Sequence, residues 1–184
     1  MCLVLPIGRR PLLTSLAAGA TLTTLLPARQ GMAAATSLQP AEPKPLPPLR
    51  FTDAQGKPYD LGAFPGQALL VNLWATWCAP CVKEMPALDR AQQVLKDEGW
   101  TVLPLSSDRG GQAQVEGFYQ RSGVKHLGVW LDPRGEAARA LGARGLPTSL
   151  VVDRQGREVA RVEGEAEWDA ATMLDALRRL VKGG

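Results

Sequence analysis

The stretch that most constrains this chain is Leu69 to Leu88, LLVNLWATWCAPCVKEMPAL, where two periodicities meet around a pair of cysteines. Leu69–Trp74 is a short apolar run with the length and composition of a buried strand, and Val82, Met85, Leu88, Ala91 and Leu95 then recur at helical spacing. Between them stands Cys78-Ala79-Pro80-Cys81. A strand that feeds a helix through Cys-X-X-Cys puts the first sulfur at the helix N-terminus, where unpaired N–H groups and the positive dipole end favour an anion. Pro80 fits there because a first-turn residue needs no N–H partner. Cys78 is thus expected to ionise below the about 8.5 of a free thiol, in the roughly 3.5–7.5 span of such motifs. At an exposed tip it reads as the attacking thiolate. Cys81, one turn further in, reads as the thiol that resolves a mixed disulfide and closes an internal Cys78–Cys81 bond.

Two other uses of the pair are weaker. Half of a zinc site needs a second Cys or His pair, and beyond the motif the chain has only Cys2 and His126. A purely structural disulfide closing a four-residue loop removes little entropy from the unfolded chain. Redox exchange needs no cofactor beyond a redox-active Cys78–Cys81 disulfide.

Trp77-Cys78-Ala79-Pro80-Cys81 resembles the Trp-Cys-X-Pro-Cys of the thioredoxin superfamily, and Gly145-Leu146-Pro147-Thr148 resembles its second motif. Gly164-Glu165-Ala166-Glu167-Trp168-Asp169 is similar to the TlpA end of the TlpA/ResA-like branch, so the resemblance covers residues 49 to 184. It implies an α/β, thioredoxin-like fold: a mixed central sheet flanked by helices, with an N-terminal β-hairpin and a TlpA-type β/α insertion. It also implies that Pro147 is cis and faces the cysteines, and that Pro86 kinks the active-site helix. A cis proline offers a carbonyl without an N–H, so Leu146 and Pro147 would form one wall of a substrate groove and Trp77 another.

One position departs from the pattern. Thioredoxins carry a buried aspartate in the strand before the motif, where this chain has Asn72. An amide can orient a neighbour but cannot relay the proton that Cys81 must lose. Glu84 is close enough in sequence to substitute, although a charged residue on such a helix is more often part of a solvated face.

The function the resemblance implies is an extracytoplasmic thiol:disulfide oxidoreductase, a reductant of specific protein disulfides. Its partner would be a copper-assembly protein of the cytochrome oxidase route or an apocytochrome c, with electrons received from a membrane thiol carrier. The direction rests on resemblance alone. The alternative is a copper-binding chaperone with a thioredoxin fold, which would use two cysteines and the single His126. Such chaperones space their cysteines by three residues, whereas two separate Cys78 from Cys81, so His126 reads as a loop residue without a ligand role.

Residues 1–35 read as an export signal, with Arg9-Arg10 at its start, no charge from Pro11 to Ala28, and a small-residue cleavage site at Ala33-Ala34-Ala35. The secretory and twin-arginine routes both remain open. An uncleaved anchor competes, but six Thr, Ser and Gly positions from Thr14 to Thr24 dilute a segment that must be about 20 predominantly apolar residues to span. Removing Arg9, Arg10 and Arg29 from the 21 basic residues leaves 18 against 18 acidic ones, a balance that gives nucleic acid no footprint.

From Thr36 to Pro48 five prolines with small and polar neighbours predict an extended polyproline spacer and a domain boundary. The domain behind it has enough apolar residues, 45% of the chain, for a real core. Leu49–Thr52 and Tyr59–Leu61 predict the N-terminal hairpin. Gly99 ends the active-site helix and Trp100–Leu105 follows as a strand, in which Pro104 argues for an edge or a bulge. Val115, Phe118, Tyr119 and Ser122 make a short helical face, followed by a strand over Gly128–Leu131 and a helix over Glu136–Leu141. Thr148–Val152 and Arg157–Val162 flank Asp153-Arg154-Gln155-Gly156 as a hairpin, and Trp168–Lys182 closes the chain as a helix with one apolar stripe.

Overall fold

The structure, a computed structural model, describes residues 38–182; the expected export signal or anchor lies outside them. The elements run β1 (Gln39–Pro45), β2 (Phe51–Asp53), β3 (Pro58–Tyr59), β4 (Ala68–Trp74), α1 (Ala79–Leu95), β5 (Trp100–Ser106), α2 (Gly111–Ser122), β6 (Trp130–Leu131), α3 (Glu136–Ala140), β7 (Thr148–Val152), β8 (Arg157–Glu163) and α4 (Ala171–Lys182). The strands form one sheet in the order β1-β8-β7-β4-β5-β6-β2-β3. Only β4–β5 and β5–β6 are parallel, so the sheet is mixed, as the alternation of elements predicts. Among the described residues no helix is long and apolar enough to cross a membrane.

All seven residues of β4 are buried, and their alternation sorts the core into two layers. Ala68, Leu70 and Trp74 pack in one cluster with Met85, Leu88 and Leu95 of α1, Val115 and Phe118 of α2, and Leu174, Leu177 and Val181 of α4. Leu69, Val71 and Leu73 face the other way, onto Leu103, Leu105, Leu150, Val152, Phe51 and Leu49, with Ala137 and Leu141 at α3. At about 1.5–3 kcal/mol for each large apolar side chain removed from water, these layers hold the sheet between its helices. The last helix starts at Ala171 and not at the expected Trp168, which is fully buried in the turn before α4.

Two expectations need correction. Residues 39–45, read as an unpaired spacer, are a strand: β1 runs antiparallel to β8, with a register shift between Pro40 and Lys44. An outermost strand tolerates prolines because one of its edges needs no partner. Pro104 sits inside the sheet, not on an outer strand. The N–H of Ser107 reaches Trp74 on the β4 side, and the carbonyl of Ser106 accepts from Asp132 on the β6 side. Alternation therefore turns positions 102, 104 and 106 toward the β6 side. There β6 pairs only with Leu105 and Ser106, and the Val102 N–H is taken by the Gln92 side chain at 2.6 Å. Pro104 thus occupies a place where a sheet N–H would have had no strand to meet.

Candidate functional site

The cysteines lie where β4 hands over to α1, at the end of the buried strand. Cys78 is the N-cap of α1: its backbone is extended, its carbonyl accepts from the Val82 N–H at 3.0 Å, and its sulfur accepts from the Cys81 N–H at 3.3 Å. Pro80 stands in the first turn as expected, and Pro86 lies inside the helix, where it removes the N–H that would have met the Val82 carbonyl. The two sulfurs are joined, with Cα atoms 5.3 Å apart. Cys81 is wholly covered. Cys78 is not at an exposed tip, being only 7% exposed. It turns inward to cap the helix and joins the apolar cluster under α1, while Ala79, Pro80 and Trp77 remain outside. Cys78 is still the outer sulfur of the two, at the end of the dipole that favours a thiolate.

Glu84 corrects the solvated-face expectation. It lies three residues after Cys81 on the same face of α1 and is buried. Asn72 donates to its Oε1 at 2.8 Å, and the Trp168 indole and the Ala166 N–H donate to its Oε2 at 2.9 and 3.1 Å. Burial pushes the Glu84 carboxyl up to about 7, against the pull of those three hydrogen bonds. Asn72 donates also to the Ser149 hydroxyl at 2.9 Å, and its own Oδ1 is buried without a partner. The amide at the thioredoxin aspartate position thus orients a carboxyl supplied by the helix.

A second buried carboxylate had no signal in the sequence. Asp108, fully buried after β5, accepts from the Thr76 N–H and hydroxyl at 2.9 and 2.8 Å, the Ser106 hydroxyl at 2.8 Å and the Gln114 amide at 2.9 Å. It pins the loop between β4 and Cys78 to the start of α2. Only the crossing of β4 and β5 side by side brings these residues together.

The Leu146–Pro147 bond is cis. Pro147 is buried and its carbonyl accepts from Gly164 at 2.9 Å, while Thr148 bonds back to the Gly145 carbonyl at 2.8 Å. Leu146 packs against the apolar cluster that contains Cys78 and Cys81. Trp77, the immediate neighbour of Cys78, is 69% exposed. Beside it opens a cleft of about 550 Å³ lined by Ser107, Asp108, Arg109, Gln114, Pro133 and Arg134.

His126 is committed elsewhere. Its Nδ1 is 2.9 Å from Asp89 Oδ2, and the N–H groups of Lys125, His126 and Leu127 all donate to Asp89 Oδ1. Although burial of Asp89 works the other way, the imidazole and the backbone donors hold its carboxyl below the usual aspartate value. The histidine clasps a loop to α1.

Comparison with known proteins agrees with this geometry. Residues 41–177 match the Redoxin family. The chain is 34% identical to thiol-disulfide oxidoreductase ResA of Bacillus thuringiensis subsp. konkukian over 66% of its own length and 69% of that protein. It is 35% identical to thiol:disulfide interchange protein HelX of Rhodobacter capsulatus over 58% of each. The crystal structure of the pneumococcal exposed lipoprotein thioredoxin of Streptococcus pneumoniae strain TIGR4 superposes with a TM-score of 0.60 at 28% identity, covering 72% of this chain and 99% of that one.

Proposed function

The chain belongs to the Redoxin family, as a TlpA/ResA-like member of the thioredoxin superfamily and a thiol:disulfide oxidoreductase, and from that premise we propose that it reduces specific protein disulfides outside the cytosol. The observation that carries the reading is the asymmetry of the pair: Cys78 caps α1 as the outer sulfur, and Cys81 is sealed one turn inside.

In the reduced protein the Cys78 thiolate attacks one sulfur of the partner's disulfide. That S–S bond breaks, a Cys78–partner bond forms, and the second partner sulfur leaves as a thiolate and takes a proton. Cys81 then gives its proton to ionised Glu84 and attacks the Cys78 sulfur. The Cys78–Cys81 bond closes, the partner's first sulfur leaves as a thiolate, and two electrons have passed to the partner. Asn72 and Trp168 hold Glu84 for this step, while Ala79, Pro80 and Pro86 shape the helix start. Trp77, Leu146 and Pro147 flank the partner's cysteine. A dithiol carrier in the membrane returns the two electrons. The partner is a cysteine-bearing copper-assembly protein ahead of an apocytochrome c; the family resemblance supports both.

Replacing Cys81 by Ser keeps the attacking thiolate and removes the group that clears it, so a mixed disulfide with the physiological partner should persist. Pull-down of Cys81→Ser from the exported fraction, then reduction and mass spectrometry, should return one or a few defined proteins that Cys78→Ser does not capture. Capture of many unrelated secreted proteins would make the protein a general oxidant or isomerase and overturn the direction.

A further inference from the structure

The cleft beside Trp77 differs in its charges from the other surroundings of the cysteines. On the cis-proline side the exposed cations are paired: Arg144 with Glu163, and Lys83 with Glu165. In the cleft, Arg109 is exposed and makes no ion pair or side-chain hydrogen bond among the described residues. Arg134, whose side chain is 80% exposed, uses only its Nε on Glu136, at 2.9 Å, which leaves its two terminal amino groups as donors. The single acid in the lining, Asp108, is fully buried and its oxygens are spent on Thr76, Ser106 and Gln114. Of the two arginines in the lining, Arg109 is therefore the unpaired charge, and Arg134 keeps donors to offer beside its pair with Glu136; a guanidinium is the side chain best matched to a carboxylate.

The same Asp108 that lines the cleft fixes Thr76, two residues before Cys78, and Trp77 forms a wall of the cleft as the immediate neighbour of the nucleophile. A polypeptide joined to Cys78 that runs over Trp77 places its next residues in the cleft. We infer that the Trp77–Arg109–Arg134 cleft is a specificity subsite that takes an acidic side chain of the partner polypeptide, within a few residues of its reacting cysteine. This deepens the oxidoreductase reading and rests on it. The subsite selects among disulfides by the charge beside them, and its contribution is greatest at low ionic strength because both arginines are solvent-exposed.

The test uses three peptides, identical except for Glu, Gln or Lys at the positions flanking one cysteine, each activated as its 2-pyridyl disulfide. Attack by the reduced full chain releases 2-thiopyridone, which is followed by absorbance. Each rate is divided by the rate of dithiothreitol with the same peptide, so that the intrinsic effect of the charge cancels. The readout is the acidic-to-neutral ratio within one protein preparation, independent of any change in the thiolate itself. It should be about threefold to fivefold at low salt, the range open to exposed charge pairs, and approach one at high salt. In Arg109→Glu it should fall below one, and in Arg109→Gln with Arg134→Gln it should be lost. Equal normalised rates for the three peptides in the unaltered protein would overturn the subsite, as would a ratio that survives in Arg109→Glu. Failure of the reduced protein to cleave even 2,2′-dipyridyl disulfide would take down the oxidoreductase reading, and this inference with it.

Discussion

At the scale of single residues, Glu84 shows what a sequence can and cannot tell. Its spacing of three from Cys81 already placed the two on one helix face, and that spacing was the available signal for burial. What overrode the usual preference of a carboxylate for solvent are donors from far away in the chain, Asn72 from β4 and Trp168 and Ala166 from the turn before α4. The consequence is measurable. An acid whose folded value is near 7 and whose unfolded value is 4.5 keeps its proton in the native state over a range where the unfolded chain has released it. The contribution of Glu84 to stability then falls as pH rises from 4.5 to 7, by up to about 3 kcal/mol, and is level on either side of that window. Urea midpoints of the disulfide-bonded protein at pH 4.5 and pH 8 should show the fall, and Glu84→Gln should flatten it. An unchanged slope in Glu84→Gln would mean that another group carries the proton.

At the scale of elements, the local features were legible and the ties between elements were not. The start of α1 at Cys78 could be read because an N-cap sulfur, a first-turn proline and an apolar stripe all lie within one short stretch. The β7–β8 hairpin could be read from Asp153-Arg154-Gln155-Gly156, where Asp153 accepts from the Gln155 and Arg157 N–H groups and Gly156 takes φ +78°. Pro104 misled because its harmlessness depends on where β6 begins, a fact of the neighbour and not of the strand. Asp89 is likewise invisible locally, yet it joins α1 to the loop after α2 through four donors. Asp89→Asn should lower stability by about 1.5–3 kcal/mol at neutral pH, the worth of hydrogen bonds to a charged group. Because the folded pKa of Asp89 is depressed, that contribution is present above the unfolded value of 3.8 and is lost as acid titrates the native carboxylate. Urea unfolding of the two proteins should therefore differ at pH 7 and converge in strong acid. A gap that persists in acid would assign the loss to packing.

At the scale of the whole molecule, both outer strands of the sheet carry proline: Pro40, Pro43 and Pro45 in β1, and Pro58 in β3, which is only two residues long. Such edges cannot continue the ladder outward. Replacing the three prolines of β1 by threonine should give a chain that folds but self-associates as its concentration rises, visible by sedimentation velocity against the unaltered protein; identical sedimentation would show that the edge is guarded by something else. A thiol:disulfide oxidoreductase brings its sheet close to the backbone of other cysteine-bearing polypeptides. With both borders closed, such chains find no template along which to zip, so each encounter stays confined to the loops around one exchangeable sulfur and can end when that bond does.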